Sequence, residues 1–415
     1  MRKNEGNVTY HTLPCGMRMV HVHTPGTATA ISGVTVGTGS RDDDEGVHGM
    51  AHMVEHTIFK GTARRNAGHI INRMEVVGGE LNAFTTKEET VVYSIYPAGN
   101  TARAMELLAD LIQNSQFPKK ELDKERQVVA EEIDSYLDSP ADAVFDDFDD
   151  LLFAGSQLGH NILGSKTALD RIDSEACRAY VRKHYTCGNM VVFYSGPESA
   201  FRVLAVASAR FNPPHGDGLA ACRRIPEVMK PFELRRCIDS HQDHTVAGAR
   251  LPGFFSADRH AYALITNILG GPGMNSLLNV ALRERRGLVY SVDASCAWYT
   301  DCGAFTVYYG CDPADTALCT RLVRSTIERV ADGSAISERA LEKAKKQYLG
   351  QLVVASDNRE NNALSIARST LLAGRAATPS ETTQRILEVD MPAIRRVAET
   401  LLPCSILTFG PSGDA

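Results

Sequence analysis

Two imidazoles and a carboxylate fall within five residues of this chain: His52, Glu55 and His56, in the stretch GMAHMVEHTIFKGT (Gly49–Thr62). On a helix, residues four apart lie one turn from each other on one face, so both imidazoles can reach a single metal ion at about 2.0–2.1 Å. Glu55 falls to the side of that face, where it can hold a water without binding the metal. Val47, Met50 and Val54 occupy the opposite face and supply packing. Taken alone, H-x-x-E-H reads at least as well as two structural histidines, on a helix surface or hydrogen-bonded in a core.

A third donor changes the balance. The segment KELDKERQVVAEEIDSYLDSP (Lys120–Pro140) carries a stripe at helical spacing: Leu122, Glu125, Val129, Glu132 and Tyr136. Carboxylates on a core-facing stripe are costly unless a cation or hydrogen-bond donors meet them. The rival reading turns Val128 and Ile133 inward and leaves both glutamates in water. Two histidines and one glutamate leave a fourth tetrahedral position open, the pattern of a catalytic zinc site. Zinc there polarises a carbonyl and acidifies water, and Glu55 could take the water's proton and pass it to a leaving amine.

These groups must be positioned by larger elements. The chain has 415 residues, 43% hydrophobic and 23% charged, which predicts two or three domains of an ordinary globular protein. A net charge of −6 gives no basic footprint, so nucleic acid is not expected as a partner. No secretory h-region and no run of about 18 apolar residues is present, so neither export nor a membrane span is expected. The ten cysteines form no C-x-x-C pair and are read as reduced thiols of a cytoplasmic protein.

A Pro/Gly-rich break, FNPPHGDGLAA (Phe211–Ala221), predicts a linker. The expected boundaries are 1–210 for a metal-binding domain, 211–230 for the linker and 231–415 for a second domain. The halves resemble each other: NMVVFYSGP (Asn189–Pro197) matches CSILTFGPSG (Cys404–Gly413), and AISGVTVG matches TVAGARLPG if Gly33 pairs with Gly248. That offset sets His52, Glu55 and His56 against Asn267, Gly270 and Gly271, so the second half lacks the metal set. Strand-like runs such as Thr90–Pro97 and Gly303–Gly310 alternate with helical patterns such as Arg103–Ser115 and His260–Gly271. The expected fold class is α+β, with two homologous halves that each pack helices on a mostly antiparallel sheet.

Four stretches together resemble the pitrilysin/insulysin superfamily of inverted zinc peptidases, in the short-chain branch that includes the mitochondrial processing peptidase and its bacterial relatives. They are RDDDEGVHGMAHMVEHTIFKGT, VVGGELNAFTTKEETVVYS, ERQVVAEEI and LRERRGLVYSV, and the likeness runs along nearly the whole chain. The resemblance implies one Zn2+ per chain, with His52, His56 and Glu132 as ligands and Glu55 as base. Glu132 follows His56 with 75 residues between, as the family requires, whereas Glu131 points elsewhere on the helix. Glu125 matches a carboxylate that supports the ligands. Asn82 and Ala83 match positions on an edge strand that binds peptide by β-augmentation. Arg283 and Tyr290 match a pair directed at the scissile bond, with Tyr290 stabilising the oxyanion. Just before them, LGGPGMNS carries Pro272 and Gly273 where many relatives have a simpler turn.

Asp142 and Asp146 match acidic residues that recognise a basic side chain near the cleavage point, though a solvated acidic helix face explains them equally. Longer members of the family join four such halves into a clam-shell chamber, and this chain has two. The resemblance therefore implies a homodimeric, cytoplasmic metalloendopeptidase acting on unfolded or extended peptides. The alternative is a peptide-binding partner subunit or chaperone-like protein without proteolytic activity of its own.

Overall fold

Runs of β-branched and aromatic residues such as MVVFYSG and SILTFG can be buried on both faces only where helices cover both sides of a sheet. That is their setting in the computed structural model of the chain, which describes residues 4–5, 7–214, 216 and 223–411. Part of the expected linker, His215 and residues 217–222, lies outside the described residues.

The first sheet contains β1 (Asn4–Glu5), β2 (Val8–Thr12), β3 (Arg18–His23), β4 (Thr29–Val36), β5 (Glu80–Thr85), β6 (Thr90–Pro97) and β7 (Met190–Gly196). Its spatial order is β1-β2-β3-β7-β4-β6-β5. Only the β3–β7 pair is parallel. The second sheet contains β8 (Glu233–Cys237), β9 (Asp243–Pro252), β10 (Val289–Trp298), β11 (Cys302–Cys311) and β12 (Ser405–Gly410), in the order β8-β12-β9-β11-β10. Here too a single pair, β8–β12, is parallel.

From β3 to β7 and from β8 to β12 the strands follow the same path, with the last strand inserted between the first two. This repeated topology is the duplication expected from sequence. The parallel pairs keep one offset, since Arg18–Val191 recurs as Glu233–Ile406 with both members 215 positions further on (233 against 18, 406 against 191). The central strand does not keep it. Gly33 lies opposite Phe193, whereas Gly248 lies opposite Ser405. The residue standing where Gly33 stands is therefore Thr245, opposite Thr408, and not Gly248. Strand register is set by pairing across the sheet, and local similarity between two short apolar runs does not report it.

The chain forms two discontinuous units: 1–133, 161–223 and 355–378 in one, and 134–160, 224–354 and 379–415 in the other. In the first, one sheet face packs on α1 (Met50–Thr57), α2 (Ala67–Glu75), α3 (Thr101–Asn114) and α4 (Lys119–Leu137), with Met53, Val54, Leu107, Leu108 and Val129 in the core. Its other face is covered by the helix Arg359–Ala373 through Ala363, Ala367 and Leu371. The second sheet is arranged alike. The helices Arg259–Gly270 and Thr316–Ala331 pack on one face, and α5 (Pro140–Leu152) covers the other through Val144, Phe148 and Leu152. Each sheet thus draws one covering helix from a part of the chain that the break at residues 211–221 would give to the other half. No helix among the described residues is long and apolar enough to cross a membrane.

Candidate metal centre

The helix α1 is anchored from outside its own sequence. Both oxygens of the buried Asp43 carboxylate accept its first backbone N–H groups, from Gly49 (2.8 Å), Met50 (3.1 Å) and Ala51 (3.0 Å). A helix start leaves these donors unpaired; burial pushes the Asp43 carboxyl up to about 8, and the N–H groups of Ala51, Gly49 and Met50 pull it back. Gly49 is required by its backbone, with φ at +97°. A Cβ there would also come within 2.5 Å of the Leu163 carbonyl oxygen. Met50, Ala51, Met53 and Val54 are buried beneath, which fixes the rotation of the helix and turns His52, Glu55 and His56 to the same side as α4.

On α4, Leu122 and Val129 face the core, so Glu125 and Glu132 follow them onto the face that meets α1. The expected stripe holds over these four residues. Tyr136 departs from it and is exposed, because the last turn of α4 runs past the core. Of the two residues in the rival reading, Val128 is exposed, whereas Ile133 is partly buried against the core.

Donor atoms of His52, His56 and Glu132 lie within 4.8 Å of one another. Glu132 Oε2 is 3.4 Å from His56 Nε2 and 3.8 Å from His52 Nε2. Two ligands at zinc distances on a tetrahedron stand about 3.3–3.4 Å apart, so the set needs only small adjustments to close on one ion. Burial, with His56 alongside, pushes the His52 imidazole down to about 3, so it is neutral near neutral pH. The His52–Glu132 approach is therefore a convergence of lone pairs, not an ion pair. His52 Nδ1 is buried with no hydrogen-bond partner among the described residues. A polar cluster of this kind is costly by itself and suits a cation. The residues fit zinc.

Glu125 orients His56. Its Oε2 lies 3.3 Å from His56 Nδ1, and its Oε1 accepts from Lys60 Nζ at 2.7 Å. An ionised carboxylate can only accept, so Nδ1 carries the proton and the Nε2 lone pair is left facing Glu132. Lys60, at the end of the same H-x-x-E-H segment, was not expected from sequence; its role depends on a contact between two helices. Glu55 Oε2 lies 3.9 Å from His52 Nε2. Burial raises its carboxyl to about 7, with His56 pulling it back and Glu132 pushing it further. A carboxyl so placed can accept and return a proton near neutral pH.

Asn82 and Ala83 lie on β5, the last strand of its sheet, paired to β6 opposite Tyr93 and Val92. No strand among the described residues pairs with the other edge of β5, and β5 packs beside α1. These residues and the donor set belong to one unit. Arg283 and Tyr290 belong to the other, where they meet: the guanidinium lies 5.6 Å from the centre of the Tyr290 ring, which is 87% exposed. Asp142 and Asp146 are on α5 in that second unit, on the side away from Val144 and Phe148, with Asp142 accepting from Ser139 Oγ at 2.6 Å. Pro272 and Gly273 lie just beyond the helix Arg259–Gly270. No disulfide joins the nine described cysteines.

With the fold and donor set in view, comparison with known proteins gives the class. Residues 18–166 match the family described as insulinase (peptidase family M16), and residues 171–348 match the peptidase M16 inactive domain. An uncharacterized zinc protease of Mycobacterium tuberculosis is 34% identical, with 97% of this chain and 93% of the relative covered. The uncharacterized zinc protease YmxG of Bacillus subtilis is 30% identical over 97% of this chain and 98% of the relative. Among solved structures, a protease from Helicobacter pylori superposes with a TM-score of 0.88 at 21% identity, covering 97% and 99% of the two chains. A peptidase M16 inactive domain from Pseudomonas fluorescens gives 0.89 at 18% identity, covering 98% of each. The chain belongs to the insulinase family, peptidase family M16.

Proposed function

We propose that this protein is a zinc metalloendopeptidase that hydrolyses extended peptides, with one zinc held by His52, His56 and Glu132. The observation that carries the reading is the convergence of these three donors beside a fourth carboxyl, Glu55, whose Oε2 lies 3.9 Å from His52 Nε2. When bound, zinc supplies Lewis acidity, polarising the scissile carbonyl and acidifying the attacking water. Glu55 takes the proton of that water and delivers it to the leaving nitrogen. Glu125 keeps His56 in the tautomer that offers Nε2. The open edge of β5, at Asn82 and Ala83, pairs with the peptide backbone and holds it extended. Tyr290, steadied by Arg283, donates its hydroxyl to the developing oxyanion. Asp142 and Asp146 favour substrates with Arg or Lys near the scissile bond, a preference that Asp142→Asn with Asp146→Asn should erase in cleavage of matched basic and neutral peptides. A cytoplasmic homodimer, bringing four halves together around the peptide, completes the proposal.

The test uses purified wild type and Glu55→Gln on a pool of unstructured peptides, with zinc measured in parallel. The expected result is about one zinc in both proteins and a loss in kcat on the order of 10²–10⁴ in Glu55→Gln. If both carry zinc and neither cuts, the chain is a peptide-binding or partner subunit on a peptidase frame, and the enzymatic reading fails.

A further inference from the structure

Four charged side chains, Arg41, Asp42, Glu88 and Arg223, are buried together, and the proposed chemistry gives none of them a role. Their side chains are 0–7% exposed. Arg41 Nη1 donates to Glu88 Oε1 at 2.6 Å. Arg223 grips both oxygens of Asp42, at 2.9 Å from Nε and 2.7 Å from Nη2. It also lies 3.4 Å from Glu88 Oε1, and it donates to the Glu88 carbonyl at 3.2 Å. Two cations and two anions balance. Such a buried set is a weak source of stability, since apolar side chains of similar volume would serve as well. What it specifies is geometry.

The geometry it specifies joins two parts of the proposed site. Glu88 belongs to the turn Thr86–Glu89 between β5 and β6, closed by Thr86 N–H donating to the Glu89 carbonyl at 2.8 Å. Segment 39–43 lies along this turn, with Ser40 N–H donating to the Thr86 carbonyl (3.1 Å) and Arg41 N–H to the Lys87 carbonyl (2.8 Å). A Cβ on Gly39 would overlap the Thr86 carbonyl, so the approach needs glycine there. The next residue but one after Arg41 is Asp43, which holds the first turn of α1. Five consecutive residues thus connect the end of the open-edged strand to the start of the helix that carries His52 and His56. Arg223 reaches in from the far side of the Pro/Gly-rich segment and locks the connection. As an edge strand, β5 is hydrogen-bonded on one side only, so its distance from α1 depends on how its ends are held.

We propose that Arg41, Asp42, Glu88 and Arg223 are positioning residues for substrate: they fix the open edge of β5 relative to the metal helix, and so set the affinity for an extended peptide without touching it. This rests on the reading of β5 as the peptide-pairing strand.

The test is peptide affinity measured by fluorescence anisotropy in a Glu55→Gln background, where no cleavage is needed, with zinc content and thermal stability recorded for each protein. Arg223→Met should weaken binding of an extended, labelled peptide on the order of tenfold, as for loss of about one backbone hydrogen bond, with zinc retained. Glu88→Gln should act in the same direction, and Arg223→Lys should recover part of the affinity. With Glu55 restored, the Arg223→Met loss should appear in KM and leave kcat within about twofold, as for an interaction equal in ground and transition states. A protein that had only lost stability, yet was folded at the assay temperature, would bind as its parent does. Unchanged affinity in folded Arg223→Met and Glu88→Gln overturns the proposal, as does absence of peptide binding in the parent. If the parent binds and the variants do not, while wild type fails to cleave, the positioning role stands and the peptidase reading falls.

Discussion

Glu125 shows how much of the candidate centre is carried by residues that need not touch the metal. Its two oxygens are divided between His56 Nδ1 and Lys60 Nζ, so one carboxylate both orients a ligand and is itself held in place. Partners of this kind are worth 10- to 100-fold in metal affinity. Glu125→Ala is therefore expected to lower zinc affinity by about 10- to 100-fold, read as zinc retained against graded chelator, while the fold is kept because Glu125 contributes no core packing. Retention equal to wild type would remove Glu125 from the site. At this scale the sequence was informative where chemistry dictates spacing. His52, Glu55 and His56 stand out by helical spacing, as do Glu125 and Glu132 as a pair, while the choice of Glu132 as the ligand comes from the family resemblance. Lys60 and Asp43 do not stand out, because a lysine after a helix and one aspartate among three carry no mark of what they will meet once the chain folds.

The first turn of α1 is the element on which the centre depends. Eight residues make a marginal helix, and this one begins at a left-handed glycine without a side-chain cap of its own. Asp43 replaces the cap with a carboxylate that takes three backbone N–H groups. Asp43→Ala leaves those donors buried and unmet, at a cost of about 1–3 kcal/mol. The expected outcome is a fall of that size in unfolding free energy by denaturant titration, together with weaker zinc retention, since His52 lies in the turn that is loosened. A stability loss with wild-type zinc retention would mean that α1 is positioned by its core contacts alone. The elements themselves were legible: the expected helices and strands near residues 103–115, 260–271, 90–97 and 303–310 all form. Their assignment to units was not. The break at 211–221 gave no hint that 134–160 would cover the second sheet or that 355–378 would cover the first. A covering helix is chosen by the sheet face it fits, and that face is assembled from strands far apart in the chain. The fate of Tyr136 follows from the same cause, since α4 continues beyond the core it serves.

Folding as a whole takes ionisable groups out of water, and in this protein that makes stability depend on acid. His184, at the end of the helix Ser174–His184, is 2% exposed. Its Nδ1 lies 3.3 Å from Thr38 Oγ1, the Tyr180 ring is 4.3 Å away, and Nε2 has no partner among the described residues. Burial, helped by Lys183 and Arg223 and opposed by Asp42 and Asp44, pushes its imidazole down to about 4. In the unfolded chain the same group titrates near 6.5. Between these values the unfolded state holds a proton that the folded state does not, so stability rises with pH there and falls as the solution is acidified. The contribution is fully present above about pH 6.5 and lost progressively toward pH 4, on the order of 3 kcal/mol in all. His184→Gln, which cannot take up the proton, should be less stable than wild type at pH 7.5, through a disturbed contact with Thr38 and Tyr180. That deficit should shrink or invert by pH 5, measured as unfolding free energies of the two proteins at both values. A deficit that stays constant with pH would mean that His184 is protonated equally in the folded and unfolded states. His21, whose imidazole is also lowered by burial, would remain as a second site for the same effect.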